Sequence, residues 1–241
     1  SFTAEDITIL NESDYPDLKK FFSSSYMRRG RMTEHEKNDM QSFTLLRFMI
    51  PQLMGYTGRA LVIDPDIFLV RDGLESLRDF SMEDFPIYAR KGLKKGSWGS
   101  SVMLLNCQQL QHWKLSNFVT QMHEGLLDYD NLINLKNEQK NIAFLENKWN
   151  EYDAIKKDTI LLHTTEKITQ PWRVGLKLNS AIKPVFGIFP RAPIYRLFGK
   201  NLTIGREHPE KIVTSFFMKE LANCFNNRII VSDEIDRSIE N

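Results

Sequence analysis

RALVIDPDIFLV, residues 59–70, is the segment from which the architecture of this chain can be inferred. Its four consecutive apolar residues, Ala60–Ile63, are typical of a strand buried in a sheet. A second apolar stretch follows at Ile67–Val70. Two carboxylates one residue apart, Asp64 and Asp66, lie where the hydrophobic strand leaves the core. Because an unpaired buried carboxylate costs several kcal/mol, we expect these acids to have a partner.

A divalent cation is one such partner. Asp-x-Asp at a strand end offers the hard oxygen ligands that Mg²⁺ and Mn²⁺ bind, and these ions usually accompany phosphate groups. The alternative is a plain turn at Pro65, with Asp64 as its polar flank. Both interpretations stay open on these residues alone.

Composition excludes several classes of protein. The 241 residues carry a formal net charge of +1, which argues against nucleic acid or an anionic membrane as a partner. Two cysteines exclude a disulfide-dense scaffold and a Cys-rich zinc site. No apolar run approaches the ~20 residues of a transmembrane segment, and the polar start has no signal peptide. The expected location is therefore cytoplasmic.

Strand-like and helix-like segments alternate along the chain, which predicts a mixed α/β domain. The predicted strands are Ile7–Leu10, Ala60–Ile63, Phe85–Ala89, Ser101–Asn106 and Thr159–Leu162. The predicted helices are Ser42–Met54 with a break at Pro51, Leu110–Leu127, Asn131–Phe144 and Ile212–Phe225. Residues 23–39 are rich in Arg, Lys, Ser and Glu and are predicted to form an exposed loop.

His163 follows the apolar run Ile160–Leu162, much as Asp64 follows its own strand. If the two strands are parallel neighbours, their carboxyl ends share one crevice. Asp64, Asp66 and His163 would then form a site with two oxygen ligands and one nitrogen ligand, which suits Mn²⁺ better than Mg²⁺. A hydrogen-bonded histidine at a strand end is the alternative for His163.

Other charged and aromatic residues are candidates for the same site. Arg47 is surrounded by apolar residues on the predicted helix, so its charge needs a partner, either a structural acid or a ligand phosphate. Lys167 could face a diphosphate, and Trp172 could close the cleft by packing. Glu138 and Gln139 lie in a polar stretch that, by itself, is typical of a helix surface.

Taken in order, these segments resemble the GT-A-fold retaining glycosyltransferases of the glycogenin and lipopolysaccharide-galactosyltransferase type, often called family 8. The resemblance covers roughly residues 41–172, and each motif is weak alone but specific in this order. The five motifs are the Arg-containing helix Arg47–Pro51, the Asp-x-Asp strand Gly58–Asp66, the strand Ser100–Asn106, the pair Glu138-Gln139 and the segment His163–Trp172.

The resemblance implies a GT-A, Rossmann-like mixed sheet flanked by helices in residues 1–175, with a C-terminal helical extension, residues 176–241, packed on the same domain. It also implies an enzyme that moves a hexose from a nucleotide-sugar, most often a UDP-sugar, to a hydroxyl acceptor. The acceptor would be a glycan, a lipid or a protein. Such enzymes retain the anomeric configuration and use Mn²⁺ or Mg²⁺.

The resemblance also assigns roles to residues. Asp64, Asp66 and His163 would hold the metal ion, which would neutralise the leaving diphosphate. Gln139 would lie beneath the anomeric carbon, and Glu138 would contact sugar hydroxyls. The residues that would bind the donor are Arg47, Asp64, Ser101, Asn106, Lys167, Gln170 and Trp172.

The chain departs from the family pattern at three points. Gln170 stands where the family has a lysine, and Ser101 stands where it has a glycine. The family opens with a strand and a helix that help hold the nucleoside, and no counterpart precedes Ile7–Leu10. Either the chain is trimmed or its nucleoside pocket is incomplete.

Three functions follow from these observations. The first is an active retaining glycosyltransferase. The second is a glycosyltransferase-like protein without catalysis, acting as a sugar-binding or assembly subunit. The third is a different metal- and phosphate-dependent enzyme, such as a nucleotidyltransferase.

Overall fold

The computed structural model describes residues 4–15, 18, 21, 24–35, 42–82, 84–178 and 204–230. The chain divides into two compact units. The first comprises Ser1–Ile67 and Arg71–Asn150, and the second comprises Phe68–Val70 and Glu151–Asn241. The predicted division at 175/176 stays a prediction, because most of the residues between 176 and 203 lie outside the described ranges.

The elements of the described residues are mostly short. The strands are β1 (Tyr26–Arg28), β2 (Arg31–Thr33), β3 (Arg59–Ile63), β4 (Ile67–Leu69), β5 (Ile87–Lys91), β6 (Trp98–Asn106), β7 (Ile142–Phe144), β8 (Glu151–Tyr152) and β9 (Leu161–His163). The α-helices are α1 (Ile50–Leu53), α2 (Leu115–His123), α3 (Tyr129–Ile133) and α4 (Lys211–Asn226). Turns of 3₁₀ helix are Ala4–Asp6, Glu12–Asp14, Ser42–Met49, Leu74–Leu77, Cys107–Gln109, Lys136–Glu138, Asn147–Trp149 and Pro171–Arg173.

A four-stranded mixed sheet organises the first unit, with strand order β3-β6-β5-β7. Strand β6 is antiparallel to β3 and β5, whereas β5 and β7 are parallel. The apolar run in β6 is buried between two neighbouring strands, and β3 lies at the edge with a less buried pattern. The predicted mixed α/β architecture, with its strand before Asp64, is confirmed.

One hydrophobic cluster supports this sheet. It joins inward-facing residues of the strands to the aromatic residues of the segments around them. Phe48, for example, has its ring centroid 4.9 Å from that of Trp113 and 5.9 Å from that of Phe118. The segment that carries Arg47 is thus packed on the sheet through its neighbours Leu46 and Phe48.

The second unit contains a three-stranded sheet in the order β4-β9-β8, in which β8 and β9 are parallel. The predicted C-terminal helix is confirmed as α4. Phe217 of α4 forms an aromatic cluster with Phe68 and Trp172, with ring centroids 5.5–5.7 Å apart.

Several predicted elements are wrong. Ile7–Leu10 forms no strand, because it has no pairing strand in the described residues, and Ile9 is 87% exposed. Within the predicted loop, β1 and β2 form a hairpin whose turn residues Arg29 and Gly30 both have positive φ angles, 55° and 70°. Such a turn matches the twist of a two-stranded hairpin.

The predicted helix over Asn131–Phe144 is also wrong in its second half. Leu135 has a φ of 52°, which ends the helical path after α3. The chain then turns, and Ile142 pairs with Ile87 in the sheet. An apolar pattern compatible with a helix is here overridden by strand pairing.

Candidate active site

An ion pair between Arg47 and Asp64 forms the centre of the candidate site in the first unit. The Nε atom of Arg47 donates to Asp64 Oδ1 at 2.8 Å, and its Nη2 atom donates to Asp64 Oδ2. The side chains are only 12% and 7% exposed. Arg47 therefore pairs with a structural acid, which was one of its two predicted partners, and a cation already compensates the charge of Asp64.

The ion pair is held against β6. Arg47 Nη1 donates to Ser100 Oγ at 2.6 Å, and that hydroxyl donates to the carbonyl of Ile133 at 2.6 Å. The backbone N–H of Asp64 donates to the carbonyl of Ser101 at 3.0 Å. The structure thus brings together Arg47, the Asp-x-Asp turn and the Ser100–Ser101 segment, which are far apart in the sequence.

Arg47 retains binding capacity. A guanidinium carries five N–H donors. Three hydrogen bonds use one donor each on Nε, Nη1 and Nη2. The second N–H of each terminal nitrogen has no partner among the described residues. A phosphate oxygen could therefore bind Arg47 while Asp64 keeps the guanidinium in position.

Asn106 does not lie near the Arg47–Asp64 ion pair. The register of β3 against β6 pairs Arg59 with Asn106 and Ile63 with Val102. Asn106 thus lies at the start of β3, whereas Asp64 follows its end. At ~3.3 Å per residue the two positions are roughly 16 Å apart. Asn106 therefore cannot contact the same small group as Arg47.

Glu138 is a buried residue, 8% exposed, and not part of a helix surface. Its Oε1 accepts hydrogen bonds from Trp113 Nε1 at 2.7 Å and from His112 Nε2 at 2.9 Å. Its Oε2 accepts from Asn141 Nδ2 at 2.8 Å. Both oxygens thus have protein partners, which is the arrangement expected for a structural carboxylate.

Gln139 is exposed, and its amide ties three segments together. Its Oε1 accepts from Trp98 Nε1 at 3.2 Å. Its Nε2 donates to the carbonyls of Gly96 at 3.1 Å and Leu135 at 3.2 Å. Both amide hydrogens are therefore used, and Oε1 keeps one lone pair.

The remaining candidates belong to the second unit. Gln170 is buried, donates through Nε2 to the carbonyl of Thr164 at 2.9 Å, and accepts from Arg173 Nε at 2.7 Å. Trp172 packs in the aromatic cluster with α4, and Lys167 is exposed. The backbone carbonyl of His163 accepts from Asp153 N at 2.9 Å, and the imidazole ring of His163 is edge-on to the ring of Tyr152.

The predicted metal ligands are divided between the two units. Asp64 and Asp66 belong to the first unit and His163 to the second, and β3 and β9 lie in different sheets instead of being parallel neighbours. Both oxygens of Asp64 are bound by Arg47. Within the described ranges, no group of three His, Cys, Asp or Glu side chains is placed to hold a metal ion. The metal ion and its three ligands therefore stay a prediction.

Ser100, the first residue of the motif Ser100–Asn106, and Asn150 were not predicted to be site residues. Asn150 is fully buried and donates through Nδ2 to Ser101 Oγ at 3.0 Å, while its carbonyl accepts from Arg90 Nη1 at 2.5 Å. The signal for Ser100 was its polarity at the start of an apolar strand. No comparable signal existed for Asn150, since its burial depends on packing between distant segments.

Comparison with known proteins finds similarity only at the level of structure. No protein-family model and no curated protein sequence matches the chain. Among solved structures, it is similar to the galactosyltransferase LgtC in complex with donor and acceptor sugar analogs, with a TM-score of 0.42 and 15% identity over 54% of this chain and 60% of that one. It is also similar to the glycosyltransferase GlyE of Streptococcus pneumoniae TIGR4, with a TM-score of 0.45 and 18% identity over 58% of this chain and 41% of that one.

A third similar structure is mouse xyloside xylosyltransferase 1, with a TM-score of 0.41 and 13% identity over 64% of this chain and 71% of that one. The chain thus spans about two fifths to three fifths of the first two proteins. At these scores the likeness by itself identifies neither an activity nor a substrate. Separately, no helix in the described part of the chain combines the length and the apolarity needed to cross a membrane.

Proposed function

We propose that this chain is a glycosyltransferase that moves a hexose from a nucleotide-sugar, in the first instance a UDP-sugar, to a hydroxyl acceptor with retention of configuration. The proposal rests on the ordered motifs in the sequence together with the geometry of the first unit. The transferred sugar leaves the phosphate oxygen of the donor, bonds to the acceptor oxygen, and the acceptor proton passes to the released diphosphate.

The convergence of Arg47, Asp64 and the Ser100–Ser101 segment carries the proposal. Arg47 is held in a fixed orientation by Asp64 and Ser100, and it keeps two N–H donors for an anion. A preorganised guanidinium stabilises negative charge where it develops, which in this reaction is the leaving diphosphate. Asp64 is then a positioning residue for Arg47.

Gln139 is proposed to lie beneath the anomeric carbon through the free lone pair of its Oε1. Its amide is fixed by three hydrogen bonds, so its orientation is set before the sugar binds. Glu138 is proposed to support this turn from the core. No step is assigned to a metal ion, because Asp64 would first have to exchange Arg47 for it.

A specific observation favours a second function, that of a glycosyltransferase-like protein that binds sugars without catalysis. The polar atoms of Asp64 and Glu138 that the resemblance assigns to ligands are bound by protein groups. Gln170, in place of the family's lysine, donates to the carbonyl of Thr164 and accepts from Arg173. Such saturation would leave binding but weaken catalysis.

Product analysis separates these functions. The purified chain would be incubated with a panel of UDP-hexoses and a mixture of glycan acceptors, with Mn²⁺ and, in parallel, with EDTA. We expect mass spectrometry to detect a product with a new glycosidic bond and nuclear magnetic resonance to show retained configuration. Release of pyrophosphate with a new phosphodiester product would instead indicate a nucleotidyltransferase.

Two variants sharpen this test. Arg47→Lys keeps the positive charge but cannot form the bidentate pair with Asp64, and we expect at least a tenfold loss of turnover. Arg59→Lys is the matched control, because Arg59 is exposed at the opposite end of β3. Binding of the UDP-hexose without any product or donor hydrolysis would favour the non-catalytic function.

A further inference from the structure

A cavity of about 490 Å³ lies within the first unit, apart from the Arg47–Asp64 pair. It is bounded by the turn of the β1–β2 hairpin, by the loop between β5 and β6, and by α3 with the residues on either side of it. Its volume falls in the range of roughly 300–1,000 Å³ that is typical of small-molecule sites.

The two carboxylates of this cavity are already satisfied. Asp130 accepts from Arg28 Nε at 3.3 Å and from Arg29 Nε at 3.0 Å. Asp128 accepts from the backbone N–H groups of Gly30 at 2.8 Å and Asn131 at 3.2 Å. These contacts fix the hairpin to α3. The two arginines compensate the charge of Asp130, whereas the neutral N–H groups satisfy the hydrogen bonds of Asp128 without cancelling its charge.

Two lysines on the cavity wall have no such partner. Lys94 and Lys136 both line the cavity, and no carboxylate in the described part of the chain forms an ion pair with either amine. The backbone at Lys94 is fixed, because its carbonyl accepts from Ser97 N at 3.0 Å and from Ser97 Oγ at 2.6 Å. The lining as a whole carries Arg29, Lys94 and Lys136 against Asp128 and Asp130, so its net charge is positive and favours an anionic ligand.

The rest of the lining suits a polyhydroxylated molecule. Asn131 and Asn134 line the cavity, and a side-chain amide can donate to and accept from hydroxyl groups. The side-chain amide of Asn134 uses one donor on the carbonyl of Asp130 at 2.6 Å and keeps its oxygen. None of the lining residues, all within the described ranges, is aromatic, so the cavity offers no ring for a nucleobase to stack on.

Two of the segments that bound the cavity are hydrogen-bonded to residues of the candidate site. The loop that carries Lys94 is tied through the carbonyl of Gly96 to Gln139. At the other wall, the last residue of α3, Ile133, accepts from Ser100, the hydroxyl bound to Arg47. The loop and the helix that bound the cavity are thus also connected to Gln139 and Arg47 of the proposed donor site.

We propose that this cavity binds a saccharide that carries a negatively charged group, either a phosphate or a carboxylate, with the charged group at Lys94 and Lys136 and the hydroxyl groups at Asn131 and Asn134. The identification of this saccharide as the acceptor rests on the proposed function. The binding site itself does not.

Titration calorimetry without any nucleotide tests the binding site. The probes are glucose 6-phosphate, glucuronate, neutral glucose and inorganic phosphate. We expect both anionic sugars to bind more tightly than glucose and inorganic phosphate, and the tighter of the two identifies the charged group. Because both lysines are exposed, replacing each with glutamine should weaken binding roughly fivefold, and Lys94→Gln with Lys136→Gln should weaken it about 25-fold.

The matched control is the double variant Lys95→Gln with Lys140→Gln, which removes the same charge from exposed neighbours that do not line the cavity. It should bind the anionic sugars as the wild type does. The proposal is overturned if neither anionic sugar binds, if inorganic phosphate binds as tightly as glucose 6-phosphate, or if both double variants lose affinity equally. If the chain binds anionic sugars but forms no glycosidic product, the proposed function alone is refuted. If it forms a glycosidic product without binding these sugars, the cavity proposal alone is refuted.

Discussion

The burial of the Arg47–Asp64 pair predicts how its removal changes the free energy of unfolding. Replacing Arg47 with methionine keeps much of the side-chain volume but leaves Asp64 buried without its cation. Because the two side chains are only 12% and 7% exposed, solvent cannot replace the lost partner. Breaking a buried ion pair in this way should lower the free energy of unfolding by about 3–5 kcal/mol.

Replacing both partners should cost much less than the sum of the two single changes. The double variant Arg47→Met with Asp64→Leu leaves no buried charge, and such exchanges are often neutral. We therefore expect the double-mutant cycle to give a coupling free energy of at least ~2 kcal/mol. Arg78→Met is the matched control, since Arg78 and Asp6 are 50% and 42% exposed and 3.6 Å apart. It should cost less than ~1 kcal/mol.

Urea unfolding followed by tryptophan fluorescence measures these differences. Three of the four tryptophans belong to the first unit, so the signal reports mainly on the unit that contains the pair. If Arg47→Met costs no more than Arg78→Met, or if the two single changes are additive, the pair is not the buried anchor inferred from its geometry.

Four other predictions concern different parts of the chain. Glu138→Gln should lower the free energy of unfolding by about 1–3 kcal/mol, measured by urea unfolding, because an amide cannot accept from all three donors around the carboxylate. Burial raises the pKa of the Cys107 thiol from 9.0 to about 11. The contribution of this thiol to the free energy of unfolding is therefore fully present below pH 9 and is lost as the pH rises towards 11. Urea unfolding at a series of pH values should show this loss in the wild type and not in Cys107→Ala. In the folded protein at pH 8, mass spectrometry should find Cys224, which is partly exposed, alkylated before Cys107. Gly205→Ala should lower the melting temperature of the second unit, because a Cβ at this position would overlap the carbonyl of Arg173.

Local patterns in the sequence predicted much of the first unit. The apolar runs identified β3 and β6, because a strand covered by neighbours needs apolar residues on both faces. The hairpin at Tyr26–Thr33 was missed, since its charged residues obscured the signal of Arg29-Gly30. The end of α3 was missed because it depends on a positive φ angle at Leu135, which few side chains favour.

The candidate site was only partly predictable. The need of Arg47 for a partner followed from its apolar neighbours, but the choice between an acid and a phosphate, and the identity of the acid, required the tertiary structure. The inference that Asp64 and His163 follow neighbouring strands failed, because β9 lies in a separate sheet next to β4 and β8. Strand order depends on long-range pairing that no local pattern specifies. The burial of Glu138 depends on Trp113, 25 residues away in the chain.

The proposed role of Arg47 in holding the donor diphosphate is tested most directly by a binding titration. UDP-glucose and UDP-galactose would be titrated into the wild-type chain, into Arg47→Lys and into Arg59→Lys. We expect saturable binding to the wild type with Mn²⁺ or with EDTA, at least tenfold weaker binding to Arg47→Lys, and unchanged binding to Arg59→Lys. Equal binding to all three proteins, or none to any of them, would contradict a donor site built around this guanidinium.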